Sequence, residues 1–500
     1  MAEMSIYKKI KEIIVKDGQL PADFSLETEE FANGIKFAPG AKEGVLRHHS
    51  SGQGGSSIFP KTLKGYMSKP EAFALKHFED KEADDFSAAT EGKVILNYIQ
   101  LHKQDFPAQK LFSMAHFFVL NGTKPESVKL GLMLMRLFRL QPKEIAKVKD
   151  SLVTLGYYED FTGYVLDNMM YWDNDARQEI LFDYAKKLNG WGKINVMGLL
   201  EADTEEKKSW ILKHGCKNSV MCNYLAMTCA AKSGIYERLA EGNLSDEEMI
   251  GVRDIIGGLV EDGPAASLAD LKNPSGLIVA YFLQLKGKAL DIETIDLLYG
   301  IKLYFETREL EKSDTIAAMV DELVASMNVN VMIKDALPEK TFLCLRISSL
   351  RNEDLSEELY ELLRNDFTKY FRYSTYILIK DTKTEDFFDL CDLNIKEEDY
   401  PVGMGDLQIF KPENEKALPL DIVVQYLDKF PNKGKKMIKI CLNSPVIRWR
   451  NVAAKALLGW EDELSKKLSN IDEELYNMVV DVNGKEVSKL TKEMLMKMVL

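Results

Sequence analysis

The chain has 500 residues, 46% of them hydrophobic and 10% aromatic, and 65 Lys plus Arg against 78 Asp plus Glu give it a net charge of −13. This composition excludes disordered, collagen-like and low-complexity classes, which cannot bury enough apolar surface to close a core. The acidic balance argues against a dedicated nucleic-acid protein, because a duplex partner needs clustered Lys and Arg to release its counterions.

In chain order, Ile6, Ile10, Ile13 and Ile14 share one helical face between lysines, which predicts a folded helix within residues 1–32 and not an export signal. Residues 33–65 interrupt the pattern. Gly34, Gly40, Gly44, Gly52, Gly54 and Gly55 with several serines predict an irregular loop or cap there instead of a regular helix. From 66 to 310 helical periodicity dominates. Thr123 is placed as an N-cap, Pro125 fits a first turn, and Val128, Leu132 and Met135 mark successive turns. Pro142 opens the next helix and Gly156 stops it; Asp203 with Glu206, and Asn218, are further cap positions. Residues 311–500 continue the rhythm, with a looser boundary near 310. Two helices make a unit of about 35 to 40 residues, the period of TPR, HEAT and armadillo arrays. The expected fold is all-α, an α-solenoid of HEAT-like or armadillo-like helix pairs.

The longest clean apolar run, Leu277–Leu283, is far below the roughly 18 residues of a membrane span, so no membrane contact is expected. Six cysteines in so long a chain read as buried thiols of a reducing compartment, and the cytoplasm is the expected location. Near the C-terminus Trp449, Arg450, Asn451, Val452, Ala453, Ala454, Lys455, Ala456 and Leu457 follow Pro445 and resemble the V-R-x-x-A-A-x-A-L signature of HEAT-like repeats. Small alanines allow close helix approach there, and Arg450 is placed to cap or bridge adjacent units.

A second resemblance covers roughly residues 20 to 290. The run Phe37, Ala38, Pro39, Gly40, Ala41, Glu43, Gly44, with His48 or His49 shortly after, is similar to a motif of a family of bacterial helical-repeat proteins. So is the stretch from Asn168 to Gly234 through Trp172, Gly190, Trp191, Gly192, Lys193, Trp210, Gly215, Asn218, Met221, Tyr224, Leu225 and Ala226. Some members carry the label limonene hydroxylase, which implies an oxygenase. The residues do not support the label: no cysteine sits in a haem-thiolate loop and no G-x-G-x-x-G follows a strand. No cofactor is expected.

Four features compete for chemistry. Gly52–Ser57 lacks the strand and the Lys-Ser or Lys-Thr of a phosphate loop and reads as a surface loop. His214, Cys216, Cys222 and Cys229 are the only cluster of soft ligands, but their spacing is awkward for one tetrahedral zinc, and no metal site is expected. Trp172, Trp191, Trp210, Trp449 and Trp460 read as core or as lining of a groove. Lys429, Lys433, Lys435, Lys436, Lys439, Arg448, Arg450 and Lys455 crowd 28 residues that hold a single acid, Asp428. That patch is either a solvated helix edge or a phosphate or nucleic-acid contact.

The reading is a non-catalytic scaffold presenting a concave surface to a protein or peptide, with Phe37, His49, Trp191, Lys193, Lys435, Lys436, Arg448 and Arg450 as candidate binding residues. Residues 201–300 carry −6 and residues 301–400 carry −9, so the partner at that central band is expected to be basic. The alternatives are an enzyme with a site between residues 33–60 and the repeats, using His49 as general acid or base, and nucleic-acid or phosphate binding through 429–455.

Overall fold

Helix starts follow local chemistry. Pro125 and Pro142 each stand in a first turn, where a missing N–H costs no intrahelical bond, and Gln141 with Glu144 closes a reciprocal capping box. Ser245 and Glu248 do the same for the helix Asp246–Val260. The computed structural model describes residues 4–26, 38–49, 59–407 and 418–500, and these are all-α, with one isolated bridge between Leu407 and Val446. The chain divides into two compact units: Met1–Lys286 with Tyr304–Ile316, and Gly287–Leu303 with Ala317–Leu500. The chain thus passes between the units at 286/287, 303/304 and 316/317.

The first unit begins with α1 (Ile6–Asp17), α2 (Ala41–His49), α3 (Phe59–Tyr66), α4 (Glu71–Lys81), α5 (Ala88–Leu101), α6 (Ala108–Asn121) and α7 (Pro125–Met135). It continues through α8 (Pro142–Leu155), α9 (Glu159–Asn168), α10 (Asn174–Lys187), α11 (Trp191–Leu199) and α12 (Glu205–Trp210). A π-turn over Ile211–Gly215 then leads to α13 (Asn223–Ser233). Helices α5, α7, α9, α11 and α13 each pack on the next of that set, and α4, α6 and α8 form a second row. Between the rows, α6 lies on α7 so closely that a Cβ on Gly131 would stand 2.6 Å from the Ala115 carbonyl oxygen. Consequently α7 is buried from Glu126 to Met135 on every side. Ile6 and Ile10 anchor α1, which packs on α6 and α8.

Two expectations change. The segment 33–65 is not irregular throughout, since α2 and the start of α3 fall within it; Phe37 and Gly52–Ser57 lie outside the described residues. Gly40, at φ 74°, makes the left-handed turn before α2. Gly44 sits inside that helix because the Trp191 indole lies where a Cβ would be, 2.1 Å from it, so packing overrides glycine's poor helix propensity. The expected caps Thr123 and Asp203 each precede the actual cap residue, Lys124 or Thr204, by one position. The Thr123 hydroxyl is donated instead to Glu79 of α4, at 2.9 Å.

In the second unit the helix Ile447–Leu464 packs on the 3-10 turn Val424–Lys429 and on the helices Lys435–Leu442 and Lys489–Val499. Ala453, Ala454 and Ala456 are buried. Trp449 and Trp460 are buried too, with their Nε1 atoms donating to Asp421 at 3.1 Å and to the Leu427 carbonyl at 2.6 Å. No single helix among the described residues is long and apolar enough to cross a membrane.

Candidate functional site

Residues from α2, α5, α7, α9 and α11 wall a pocket of about 700 Å³ in the first unit. α2 contributes Glu43 and Leu46, α5 contributes Ala88, Ala89, Gly92, Lys93 and Leu96, and α7 contributes Leu132 and Met133. Glu159, Asp160, Gly163, Tyr164 and Asp167 come from α9 and Asn195 from α11. Of the lining residues Leu132, Met133 and Asp160 are buried, whereas Lys93, Asn97, Gln100 and Arg136 are exposed and form its rim.

Three carboxylates around this pocket each hold the start of another helix. Glu126 accepts a hydrogen bond from the Ala88 amide at 2.8 Å, where α5 begins. Asp160 accepts from the Gly40 amide ahead of α2. Glu159 accepts from the amides of Asn189 (3.0 Å), Gly190 (2.7 Å) and Gly192 at the start of α11. Each carboxylate thereby meets unpaired amides at the positive end of a helix dipole.

Lys129 of α7 stands behind them. Its Nζ lies 2.5 Å from Glu43, 2.9 Å from Glu126 and 3.9 Å from Asp160, and the residue is 4% exposed. Burial works against its charge, but the surrounding carboxylates outweigh it and hold the ammonium well above the ordinary lysine range. Burial pushes the Asp160 carboxyl up to about 6; Lys129 pulls it down, and Glu43 pushes it further up. Burial also raises Glu159, against the pull of its three amides. Among the described residues, the one ammonium of Lys129 reaches Glu43, Glu126 and Asp160. Among the described residues no group of three or more His, Cys, Asp or Glu is placed to hold a metal ion.

The expected site residues fall elsewhere. His49 is exposed at the far end of α2; its Nε2 lies 2.5 Å from the Tyr224 hydroxyl and its ring is edge-on to Trp191. It does not face the pocket, which corrects the assignment of His49 as an acid or base inside a cleft. Trp191 is buried, stacks on His48 at 5.5 Å and meets Tyr224 at a tilt at 4.9 Å, so it is the seat of α2 and not the wall of an open groove. Lys193 is buried as well. Its Nζ donates to the carbonyls of His214 (3.0 Å) and Lys217 (2.5 Å), stitching α11 to the π-turn, and burial lowers its pKa. It is not available to a partner.

The basic patch of the second unit is answered by acids, some near it in sequence (Asp421, Asp428) and others further away (Glu385, Asp472, Glu474). Lys435 pairs with Asp472 at 2.7 Å, Lys439 with Glu474 at 2.5 Å, Arg448 with Asp421 and Lys455 with Asp428 both at 3.2 Å, and Lys433 with Glu385. Lys436 donates to the Asp392 carbonyl at 2.9 Å. Arg450 is fully buried: it forks onto Glu486 at 2.6 and 2.8 Å and donates to the carbonyls of Ser444 (2.6 Å) and Gly405 (2.8 Å). Arg450 ties the start of its helix to the segments carrying Gly405, Ser444 and Glu486, and it cannot touch a ligand.

Compared with known protein-family models, curated proteins and solved structures, the chain matches none. The residues that sequence reasoning passed over are Glu126, Lys129 and Asp160, and Glu43 was named only within a family motif. A signal for one of them was present. Lys129 interrupts a run, Val128 to Met135, that is otherwise apolar or glycine, so it has no polar face to occupy and needs buried acids.

Proposed function

We propose that this protein is a non-catalytic helical-repeat scaffold that binds a protein or peptide, and that the pocket beneath α2 is the seat for a side chain of that partner. The observation that carries the reading is the pocket of about 700 Å³, set between regular helices, three of which, α2, α5 and α11, have their starts fastened by a carboxylate. Such a preorganised, part-apolar cleft with a few convergent polar groups is the usual form of a ligand site. The packing of α5, α7, α9, α11 and α13 in succession supports a solenoid reading of the first unit, in which every repeat touches its neighbours. The alternative with His49 as acid or base loses its support, because His49 leans on Tyr224 outside the cleft. Phosphate binding through 429–455 loses support because carboxylates already neutralise most of those cations.

Selection from a displayed peptide library against the full chain tests the reading, with Ala89→Trp as counter-screen. Ala89 is half-buried on the pocket wall, so an indole there occupies the cleft without displacing core. Peptides that bind the natural chain and not the variant are expected. Peptides that bind both equally, or no selected peptide at all, refute it.

A further inference from the structure

We infer that Cys216 and Cys222 form a redox-sensitive dithiol, which a low-molecular-weight disulfide of the glutathione class converts to an intrachain disulfide that locks the turn ahead of α13. The inference is independent of the pocket beneath α2 and of what occupies it.

The segment between the two cysteines brings their thiols together. Asn218 donates to the carbonyls of Cys216 (3.1 Å) and Met221 (2.9 Å) and accepts from the amides of Val220 (2.8 Å) and Met221 (2.9 Å), which folds the segment back on itself. The Cys216 Sγ lies 3.4 Å from the Cys222 carbonyl oxygen and hydrogen-bonds with the Cys222 side chain. Both cysteines face the helix Asp246–Val260. Cys216 Sγ is 3.7 Å from the Asp254 carbonyl oxygen, and a Cβ on Gly258, one turn further, would stand 3.1 Å from Cys222 Cβ. Cys229 also hydrogen-bonds with Cys216, but it is fully buried, its Sγ 2.8 Å from where a Cβ on Gly215 would stand.

Cys222 is where an oxidant enters. Cys216, Cys229, Cys344, Cys391 and Cys441 are buried, whereas Cys222 is partly exposed at the N-cap of α13. A thiolate there meets the positive end of that helix, and the Lys193 ammonium, bonded to carbonyls on either side of Cys216, attracts all three sulfurs of the cluster. The hydrogen bond with Cys216, burial and the carboxylates of Asp254 and Glu261 raise the Cys222 thiol above the ordinary range, so the exchange is slow and answers sustained oxidation. Cys222 Sγ, its proton released to water, attacks one sulfur of glutathione disulfide and expels a glutathione thiolate, which is then protonated. Cys216 Sγ, deprotonated in turn, attacks Cys222 Sγ and expels the second glutathione. Two cysteine S–H bonds and the glutathione S–S bond are exchanged for one cysteine S–S bond and two glutathione S–H bonds, so the chain is oxidised and the glutathione disulfide reduced.

Incubation of the folded full chain with glutathione disulfide, quenched by iodoacetamide and mapped by peptide mass spectrometry, tests the inference. A Cys216–Cys222 bond is expected, reversible by dithiothreitol, with Cys344, Cys391 and Cys441 still reduced. Cys216→Ser should halt the reaction with a single glutathione on Cys222, and Cys229→Ser should leave the bond forming. Amide exchange of residues 217–223 should be slower in the oxidised chain than in the reduced one. A chain that stays reduced, a Cys216–Cys229 bond in place of the expected one, or glutathione on any cysteine other than Cys222 overturns the dithiol. Unchanged exchange across 217–223 overturns the lock. The mapping and the exchange measurement use the natural chain, so they decide the matter even if a serine variant does not fold.

Discussion

Asp160→Asn should make the first unit more stable at pH 8 and leave it nearly unchanged at pH 4. Asp160 is 8% exposed, and its carboxyl stands at about 6 against an ordinary value of 3.8. That difference corresponds to about 3 kcal/mol between the charged and neutral forms. Below about pH 4 the folded and unfolded chains both carry the proton. Between about pH 4 and 6 the folded chain keeps a proton that the unfolded chain has released, so this residue's contribution falls as pH rises. Above 6 the full cost of the buried charge stands. Asparagine keeps the oxygen that accepts from the Gly40 amide and removes the charge, so the variant's advantage should open through that window to about 3 kcal/mol at most. Amide hydrogen exchange of α2, α9 and α11, corrected for intrinsic rates and taken as variant minus natural chain at pH 5 to 8, isolates the effect from other titrating groups and from the second unit. An unchanging difference across that range, or a variant less protected at pH 8, refutes the assignment of burial as the dominant cause.

Lys129→Met should destabilise the first unit by about 3–5 kcal/mol, because it leaves Glu43, Glu126 and Asp160 without their shared cation; urea unfolding measures it. Arg450→Ala should cost the second unit about 3–5 kcal/mol by stranding buried Glu486, whereas Arg448→Ala on the exposed pair with Asp421 should cost about 1 kcal/mol or less in the same assay. Gly44→Ala places a methyl on the Trp191 ring and should release α2, seen as faster exchange of its amides with the rest of the first unit unchanged. Changing Lys435 and Lys436 to Glu should leave retention on a heparin column at physiological salt unaltered; a marked loss would revive the phosphate reading.

The all-α class, the helix starts at Pro125 and Pro142 and the anchoring of α1 by Ile6 and Ile10 were legible because each depends on neighbours within a few residues. Caps, proline positions and a 3.6-residue apolar period are local physics, and they are written in consecutive letters. What 33–65 would do was not legible in the same way. Gly44 argues against a helix until Trp191, almost 150 residues later, is known to fill the space beside it. The basic run 429–455 looked unopposed for the same reason. Several of its acids, Glu385, Asp472 and Glu474, lie outside the run and become neighbours only in the fold. Arg450 and Lys193, expected as contact residues, are buried by packing that no local pattern reports. Outside residues 33–65, sequence alone determined that the chain is helical and which faces are apolar, since those follow from short-range backbone and side-chain preferences. Only the tertiary structure decided which charges face solvent, which are matched, and where three carboxylates converge on one lysine beside an open pocket, because Coulomb attraction and desolvation act through space and not along the chain.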